Sequence, residues 1–145
     1  MKETSSDIAI EVNKYSGEKN MDQLLINKAF MSKTSALKLQ FNKNEKSMYL
    51  HVGKKGSDEL WQWTKAKITD DEAGQILEVL EGKNKQVSFF HAFKEQKKQI
   101  WVNRDDKNIV WVRIQENRKQ LDCGEQKVFG ILLTHAISAC SICEV

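Results

Sequence analysis

The sequence contains no proline and only seven glycines and three cysteines among its 145 residues. Because proline interrupts helices and central strands, its absence favours regular elements joined by short turns of glycine, asparagine and aspartate. The cysteines are odd in number and all fall in the last 23 residues, which argues against the disulfide framework of a small secreted domain. We therefore expect an intracellular protein, either cytoplasmic or nucleoid-associated.

Long apolar runs and a large excess of one charge are also missing. No stretch of about eighteen apolar residues is present, so we expect no membrane-spanning helix. The start "MKETSSDIAIEV" has no apolar core of a secretory signal. The 23 basic and 20 acidic side chains leave a net charge of +3, so any binding of anions must come from local segregation of charge.

From Leu24 onward the sequence follows the two-residue period of strands. Apolar and polar residues alternate in "ALKLQF" and "MYLHV", with a hairpin turn predicted in "NKNEKS". A third strand, "LWQWTKAKI", puts two tryptophans and two lysines on one side. The period then becomes helical in "TDDEAGQILEVLEG", where Thr69 or Asp70 can cap the start and Gly82 can form the end. Residues 1–23 are polar and are expected to form a flexible N-terminal arm.

The same order of elements occurs a second time. Strands are predicted in "QVSFFHAF", "KQIWVNRD" and "NIVWVRIQ", followed by a helix in "GEQKVFGILLTHAISAC". A shift of 52 or 53 positions aligns Leu37 with Phe89 and Tyr49 with Trp101. This pattern indicates an internal duplication, with repeats at about 24–83 and 84–143 in one domain of residues 24–145. The expected fold class is α+β, with two antiparallel sheets that are each followed by a helix.

The strand positions opposite the apolar ones should face solvent or a partner. Aromatic rings, cations and amides are interleaved there, which suits a single-stranded nucleic acid: rings stack on bases, cations neutralise phosphates, and amides reach base edges or sugars. Arg104, at the following turn, is added as a phosphate contact. The predicted nucleic-acid-binding residues are Lys38, Gln40, Tyr49, His51, Trp61, Trp63, Lys65, Lys67, Phe90, Trp101, Asn103, Arg104, Trp111 and Arg113.

A second interpretation of this face stays open. Tryptophan and tyrosine are favoured in strands, and an aromatic sheet face is often buried between the subunits of an oligomer. An oligomeric scaffold is therefore the alternative to a nucleic-acid-binding protein, and the pattern does not separate DNA from RNA.

Residues 36–93, with "ALKLQF", "WQWTKAKITDDEAGQILEVLEG" and "VSFFHAF", resemble the core of the plant Whirly single-stranded DNA-binding proteins. Residues 88–91 are similar to their "EFFH" strand, and the likeness extends over about residues 30–140. Only "NKA" at residues 27–29 is similar to their early "KGKA" segment, which leaves the first strand uncertain. The unit also resembles the kinetoplastid mitochondrial RNA-binding proteins and the coactivators called positive cofactor four. The resemblance implies homo-oligomers, dimers or tetramers, that hold single-stranded DNA or RNA across sheet edges and grooves between subunits.

Residues with catalytic or metal-binding chemistry are sparse. The acidic run at 70–72 lies at a predicted helix start and the pair at 105–106 in a predicted turn, where capping and turn roles suffice. Cys140 and Cys143 form a single C-x-x-C and are expected to be packing positions. His91 is expected to be a half-buried strand residue that points inward with Phe89. We expect no enzymatic activity, no cofactor and no metal.

Overall fold

The structure, a computed structural model, describes residues 23–93 and 95–141, without the side chain of Phe93. Nearly all of the predicted N-terminal arm, and Cys143, lie outside these residues. Two units follow one another along the chain, each made of four strands and a helix. The elements are β1 (Leu24–Met31), β2 (Ser35–Asn42), β3 (Ser47–Lys55), β4 (Trp61–Ile68), α1 (Asp70–Leu80), β5 (Gln86–Phe93), β6 (Gln96–Arg104), β7 (Val110–Ile114), β8 (Asn117–Leu121) and α2 (Cys123–Ser141).

Each unit forms an antiparallel sheet in which neighbouring strands follow one another along the chain. The strand orders are β1-β2-β3-β4 and β5-β6-β7-β8. The predicted α+β fold, with two sheets each followed by a helix, is confirmed. The uncertain first strand is present and pairs with β2 along most of its length.

The repeat alignment is correct at the helix starts but is wrong for the strands. The strand orders make β2 equivalent to β6, whereas the shift of 52 or 53 positions placed Leu37 of β2 opposite Phe89 of β5. The reason is that β7 and β8 have five residues each, against nine in β3 and eight in β4. A single shift cannot align units whose strands differ in length, so it placed each earlier strand beside the wrong partner.

Strand β8 is the element that sequence reasoning missed. Its sequence, "NRKQL", is polar, and the residue at its core-facing position is Lys119, only 2% exposed. The Lys119 Nζ donates to the carbonyl oxygen of Gln120 at 2.6 Å and lies 3.5 Å from a carboxylate oxygen of Glu125. A lysine at a buried position breaks the apolar alternation from which strands are recognised.

The inner faces of the two sheets share one core with the helices. Phe30 of β1 and Phe129 of α2 meet edge to face, with ring centroids 5.9 Å apart. The side-chain amide of Asn117 in β8 donates to the carbonyl of Val52 at 3.2 Å and to the hydroxyl of Thr64 at 3.0 Å, which joins the second sheet to the first. The fully buried apolar side chains include Leu37, Leu39, Leu50, Val52, Ile76, Ile100, Val102, Val112, Ile114 and Leu133.

Both helices begin with reciprocal caps. The amide of Glu72 donates to the Thr69 hydroxyl at 3.1 Å, and the amide of Thr69 donates to the Glu72 carboxylate at 2.9 Å, so the predicted cap at Thr69 is confirmed. Gly82, with a φ of 79°, follows α1 as predicted. Neither helix in the described part of the chain is long and apolar enough to cross a membrane.

Glu125 is predicted to be the most important carboxylate for stability. It accepts the amide of Asp122 at 3.1 Å at the start of α2 and also faces the buried ammonium of Lys119. Replacing Glu125 by alanine leaves that ammonium without its carboxylate, so the free energy of unfolding should fall by about 2 kcal/mol. Urea unfolding measures this loss. Glu116→Ala, at an exposed turn, is the control and should change stability by less than about 0.5 kcal/mol; equal effects would contradict the assignment.

Candidate nucleic-acid interface

The outer face of the first sheet aligns the predicted residues in two rows across β2, β3 and β4. Lys38, His51 and Lys65 lie opposite one another in the strand register. The next row contains Gln40, Tyr49 and Lys67. All six point away from the core, because the residues between them on each strand are buried. The Lys65 Nζ lies 4.4 Å from the centroid of the Tyr49 ring.

Two tryptophans of β4 continue this face and stack on each other. The ring centroids of Trp61 and Trp63 are 5.7 Å apart, with an angle of 24° between the planes. Trp63 lies directly on Gly53 of β3, since a Cβ atom there would come within 2.7 Å of the indole. The Lys38 Nζ lies 4.8 Å from the Trp63 centroid, and the indole stays 38% exposed. Because Gly53 has no side chain, the indole of Trp63 can pack directly against it.

His51 is held as a neutral imidazole among cations. The Gln40 amide donates to Asn27 Oδ1 at 3.1 Å, which directs the Gln40 carbonyl oxygen to His51 Nε2 at 3.0 Å. That oxygen only accepts, so Nε2 carries the proton. Burial lowers the pKa of His51 to about 3, with further lowering by the positive charges of Lys38, Lys65 and Lys98. His51 therefore contributes hydrogen bonding and shape to this face, and no charge at neutral pH.

The outer face of the second sheet carries arginines over tryptophans. Trp101 of β6 lies opposite Arg113 of β7, and Arg113 lies opposite Arg118 of β8. The Arg113 Cζ is 4.4 Å from the Trp101 ring centroid, and the Arg118 Cζ is 4.9 Å from that of Trp111. Asn103 lies opposite Trp111 in the same register.

Phe90 extends this second face onto the edge strand β5. It lies opposite Gln99 in the register, is 65% exposed, and has the Lys97 Nζ 5.8 Å from its ring centroid. Its neighbour Phe89 packs against the core, as predicted. His91 is also half-buried as predicted, and its Nε2 lies 2.8 Å from a carboxylate oxygen of Glu72.

The indole of Trp111 is fixed by a turn aspartate. Its Nε1 donates to the Asp105 carboxylate at 3.1 Å. This hydrogen bond, together with the amides of Ile109 and Lys107, holds the pKa of Asp105 below its ordinary value. Asp105 thus has the turn role that the sequence indicated, and it also orients a ring on the candidate face.

Arg104, which was predicted to contact phosphate, does not lie on the outer faces with the other predicted residues. Its guanidinium donates to the carbonyl oxygens of Val79 at 2.9 Å and Leu80 at 2.7 Å, in the last turn of α1. Those carbonyls have no partner within the helix and carry the negative end of its dipole, which attracts a cation. Arg104 follows Asn103 directly, so strand alternation already placed it on the opposite side of the sheet from Trp101.

A groove of about 480 Å³ connects the two outer faces, and all four of the cations that line it were missed by sequence reasoning. Lys55 lies in the groove and opposite Trp61 in the register, so the groove begins beside the tryptophan pair of the first sheet. Its far side is formed by Trp111 and Arg118. The "GKKG" turn and the polar strand β8 gave the only sequence signal for these cations. The lining residues are Ser32, Lys33, Thr34, Ser35, Lys54, Lys55, Trp111, Glu116, Arg118 and Gln120.

Four cations of the two outer faces, Lys38, Lys65, Arg113 and Arg118, lie near aromatic rings in the described part of the chain. Within residues 23–93 and 95–141, no carboxylate lies within salt-bridge distance of Lys38, Lys65, Lys67, Arg113 or Arg118. The groove contains one ion pair, Lys55 with Glu59 outside it at 3.2 Å. Positive charge without neutralising carboxylates favours an anionic partner.

The described residues contain no group of three or more histidine, cysteine and acidic side chains that could hold a metal ion. Cys123 is exposed and Cys140 is half-buried, and both are free thiols. Burial, followed by the charge of Asp70, raises the pKa of Cys140. Cys140 packs against the core, as expected for a packing position.

No family model and no curated protein matches the sequence. Among solved structures, the fold is similar to MRP1/MRP2 of Trypanosoma brucei, with a TM-score of 0.59 and 12% identity over 88% of this chain and 95% of that one. It is also similar to the plant transcriptional regulator PBF-2, a Whirly-family protein, with a TM-score of 0.58 and 10% identity over 80% of this chain and 90% of that one. The resemblance to Whirly proteins therefore holds at the level of the fold.

Gly53→Ala is predicted to displace the Trp63 indole from its position on Gly53. The added methyl group would lie 2.7 Å from the indole, so the ring must move and its stacking on Trp61 should be lost. Near-ultraviolet circular dichroism should show a reduced tryptophan signal. Gly74→Ala in α1 is the matched control, because nothing lies within 4 Å of its added methyl group, and it should leave the signal unchanged. An unchanged signal in both variants would contradict the observed contact.

His51 is predicted to make the fold less stable in mild acid. The unfolded chain binds a proton at His51 near pH 6.5, whereas the folded chain, with a pKa of about 3, excludes it. The contribution of His51 to stability is therefore fully present above pH 6.5 and is lost as the pH falls toward 3. From pH 7.5 to 5.5 the free energy of unfolding should fall by about 1 kcal/mol more in the wild type than in His51→Gln. Parallel pH profiles would contradict a buried, neutral His51.

Proposed function

We propose that this protein binds single-stranded nucleic acid without reading its sequence, with single-stranded DNA as its ligand. The observation that carries the proposal is the cationic groove, which joins two sheet faces that both present aromatic rings and unneutralised cations. A polyanion with flat bases complements both properties at once. The shared fold of PBF-2 and the resemblance to Whirly proteins support the same ligand class.

The arrangement suits an extended strand that crosses from one sheet to the other. Such a strand would stack bases near Trp61 and Trp63, pass Lys55 at the mouth of the groove, and continue along Lys54 and Trp111. Each base that stacks on an aromatic ring contributes about 1 to 3 kcal/mol, whichever base it is. Several rings therefore supply useful affinity without base-specific hydrogen bonds.

A protein partner is a poorer complement to these faces. Burying the five cations of the outer faces against an apolar surface would remove them from water with no carboxylate to compensate, which costs several kcal/mol per charge. Phosphates of a single strand provide that compensation and release their counterions. We further propose that the protein acts as a homo-oligomer, as the family resemblance implies, and that it holds strands without cleaving them.

The proposal predicts tryptophan quenching by a pyrimidine oligonucleotide. A titration with oligo-dT should quench fluorescence, and raising the salt from 50 to 200 mM should weaken binding by about 100-fold if five phosphates are contacted. The strand should stay intact in magnesium. No quenching at low salt would refute the proposal, and loss of intact strand would indicate a nuclease.

An RNA strand of the same length and of matching sequence tests whether DNA is the preferred ligand. Tighter binding of RNA than of DNA would reassign the ligand to RNA, because only RNA presents the 2′-hydroxyl. Sedimentation of the protein alone gives the oligomeric state. If the aromatic faces were instead buried between subunits, Trp63→Ala would dissociate the oligomer before it changed any binding.

Lysines in the groove should matter more than lysines elsewhere. Lys54→Ala removes a cation from the groove and should weaken oligo-dT binding and reduce its salt dependence by about one phosphate contact. Lys83→Ala is the matched control, because Lys83 pairs with Glu81 after α1 and does not line the groove. Equal effects of the two substitutions would indicate a general charge effect and would contradict a groove path.

A further inference from the structure

The outer face of the second sheet presents guanidinium groups more than indole rings. Arg113 and Arg118 are exposed and lie opposite each other on β7 and β8, whereas Trp101 and Trp111 are half-buried. Each guanidinium carbon lies over a ring, at 4.4 Å from the Trp101 centroid and 4.9 Å from the Trp111 centroid. In each pair, the face of the indole that could receive a base is the one that the arginine covers.

Hydrogen bonds restrict one member of each pair, Arg113 in the first and Trp111 in the second. The Arg113 Nε donates to the carbonyl oxygen of Gln115 at 2.6 Å, in the turn between β7 and β8. Gln115 is itself held, since its side-chain amide donates to the Lys97 carbonyl at 3.1 Å and its side-chain oxygen accepts from the Gln99 amide at 2.8 Å. The Trp111 indole is fixed by Asp105. The guanidinium of Arg113 is thus held in place by its hydrogen bond to the Gln115 carbonyl and by the Trp101 ring beneath it.

The first sheet is built differently. Its rings carry lysines, with Lys38 near Trp63 and Lys65 near Tyr49. An ammonium group is a point charge without a plane, so a base cannot stack on it, whereas a guanidinium group is planar and stacks on aromatic rings and bases. A base reaching Trp63 must contact the exposed part of the indole, while a base reaching the second sheet first meets an arginine plane.

We propose that bases stack on the guanidinium groups of Arg113 and Arg118, and that Trp101 and Trp111 act beneath them as positioning residues. The inference rests on the proposed function and specifies how its second face contacts the ligand. A base, a guanidinium and an indole then form a three-layer stack, in which the arginine charge also lies close to the neighbouring phosphate.

The test uses the double variant Arg113→Lys/Arg118→Lys, which keeps both positive charges and removes both planar guanidinium groups. Its ligands are oligo-dT and an abasic deoxyribose-phosphate strand of equal length. The double variant should bind oligo-dT at least about 30-fold more weakly, because two stacked bases at about 1 to 3 kcal/mol each are lost, and it should bind the abasic strand within about twofold of the wild type. Unchanged thermal unfolding confirms that the variant is folded. Lys83→Arg, at a lysine outside the groove, is the control for the exchange of these two residue types and should weaken neither ligand.

Two outcomes would overturn the inference. If the double variant binds oligo-dT as tightly as the wild type does, bases do not stack on the guanidinium groups. If it loses the same affinity for oligo-dT and for the abasic strand, the arginines contact phosphates only. A wild type that binds neither strand would instead refute the proposed function itself.

Fluorescence provides a second, independent measurement. In a Trp61→Phe/Trp63→Phe variant the remaining indoles lie under arginines, so oligo-dT should quench them less than it quenches the indoles left in Trp101→Phe/Trp111→Phe. Stronger quenching of the covered pair would show direct base contact with indole and would overturn the inference.

Discussion

The inner faces of the two sheets pack against each other and against both helices in one apolar core, where residues such as Leu50, Val52, Ile100 and Val112 are fully buried. Strand side chains alternate between two sides, so this burial on one side fixes what each strand presents on the other. Asn117 joins the sheets through hydrogen bonds to β3 and β4, which place the start of β8 against the first sheet. The groove between the outer faces follows from that contact.

The aromatic rings and cations of the outer faces stabilise each other in the protein alone. A ring attracts the nearby ammonium or guanidinium group and covers part of its apolar stem. Burial lowers the pKa of Lys38, which shows that such a cation is already partly removed from water. At Lys38, an anionic ligand of the kind that we propose would meet a cation that has lost part of its hydration, which would reduce the cost of desolvating that lysine on binding.

The strand and helix periods of the apolar residues predicted β2 to β7 and both helices, and every predicted binding residue except Arg104 lies on an outer face. These periods do not reveal where a charged side chain has a structural role. Lys119 is buried beside Glu125, which hid β8. Arg104 was included because of its predicted turn, against the alternation, and its guanidinium binds the carbonyls at the end of α1. The groove could not be predicted, because it depends on how β8 meets the first sheet, and a register within one sheet contains no information about that contact.

The two units keep the same structural devices and differ on their outer faces. In each, a carboxylate at the third helical position accepts the amide of the residue before the helix, Glu72 from Thr69 and Glu125 from Asp122. These contacts stabilise the start of each helix and leave the residues of the outer faces free to differ. The first face therefore combines lysine with indole and phenol rings, and the second combines arginine with indole. Because an ammonium group has no plane and a guanidinium group does, the two faces offer chemically different surfaces to the single-stranded ligand that we propose.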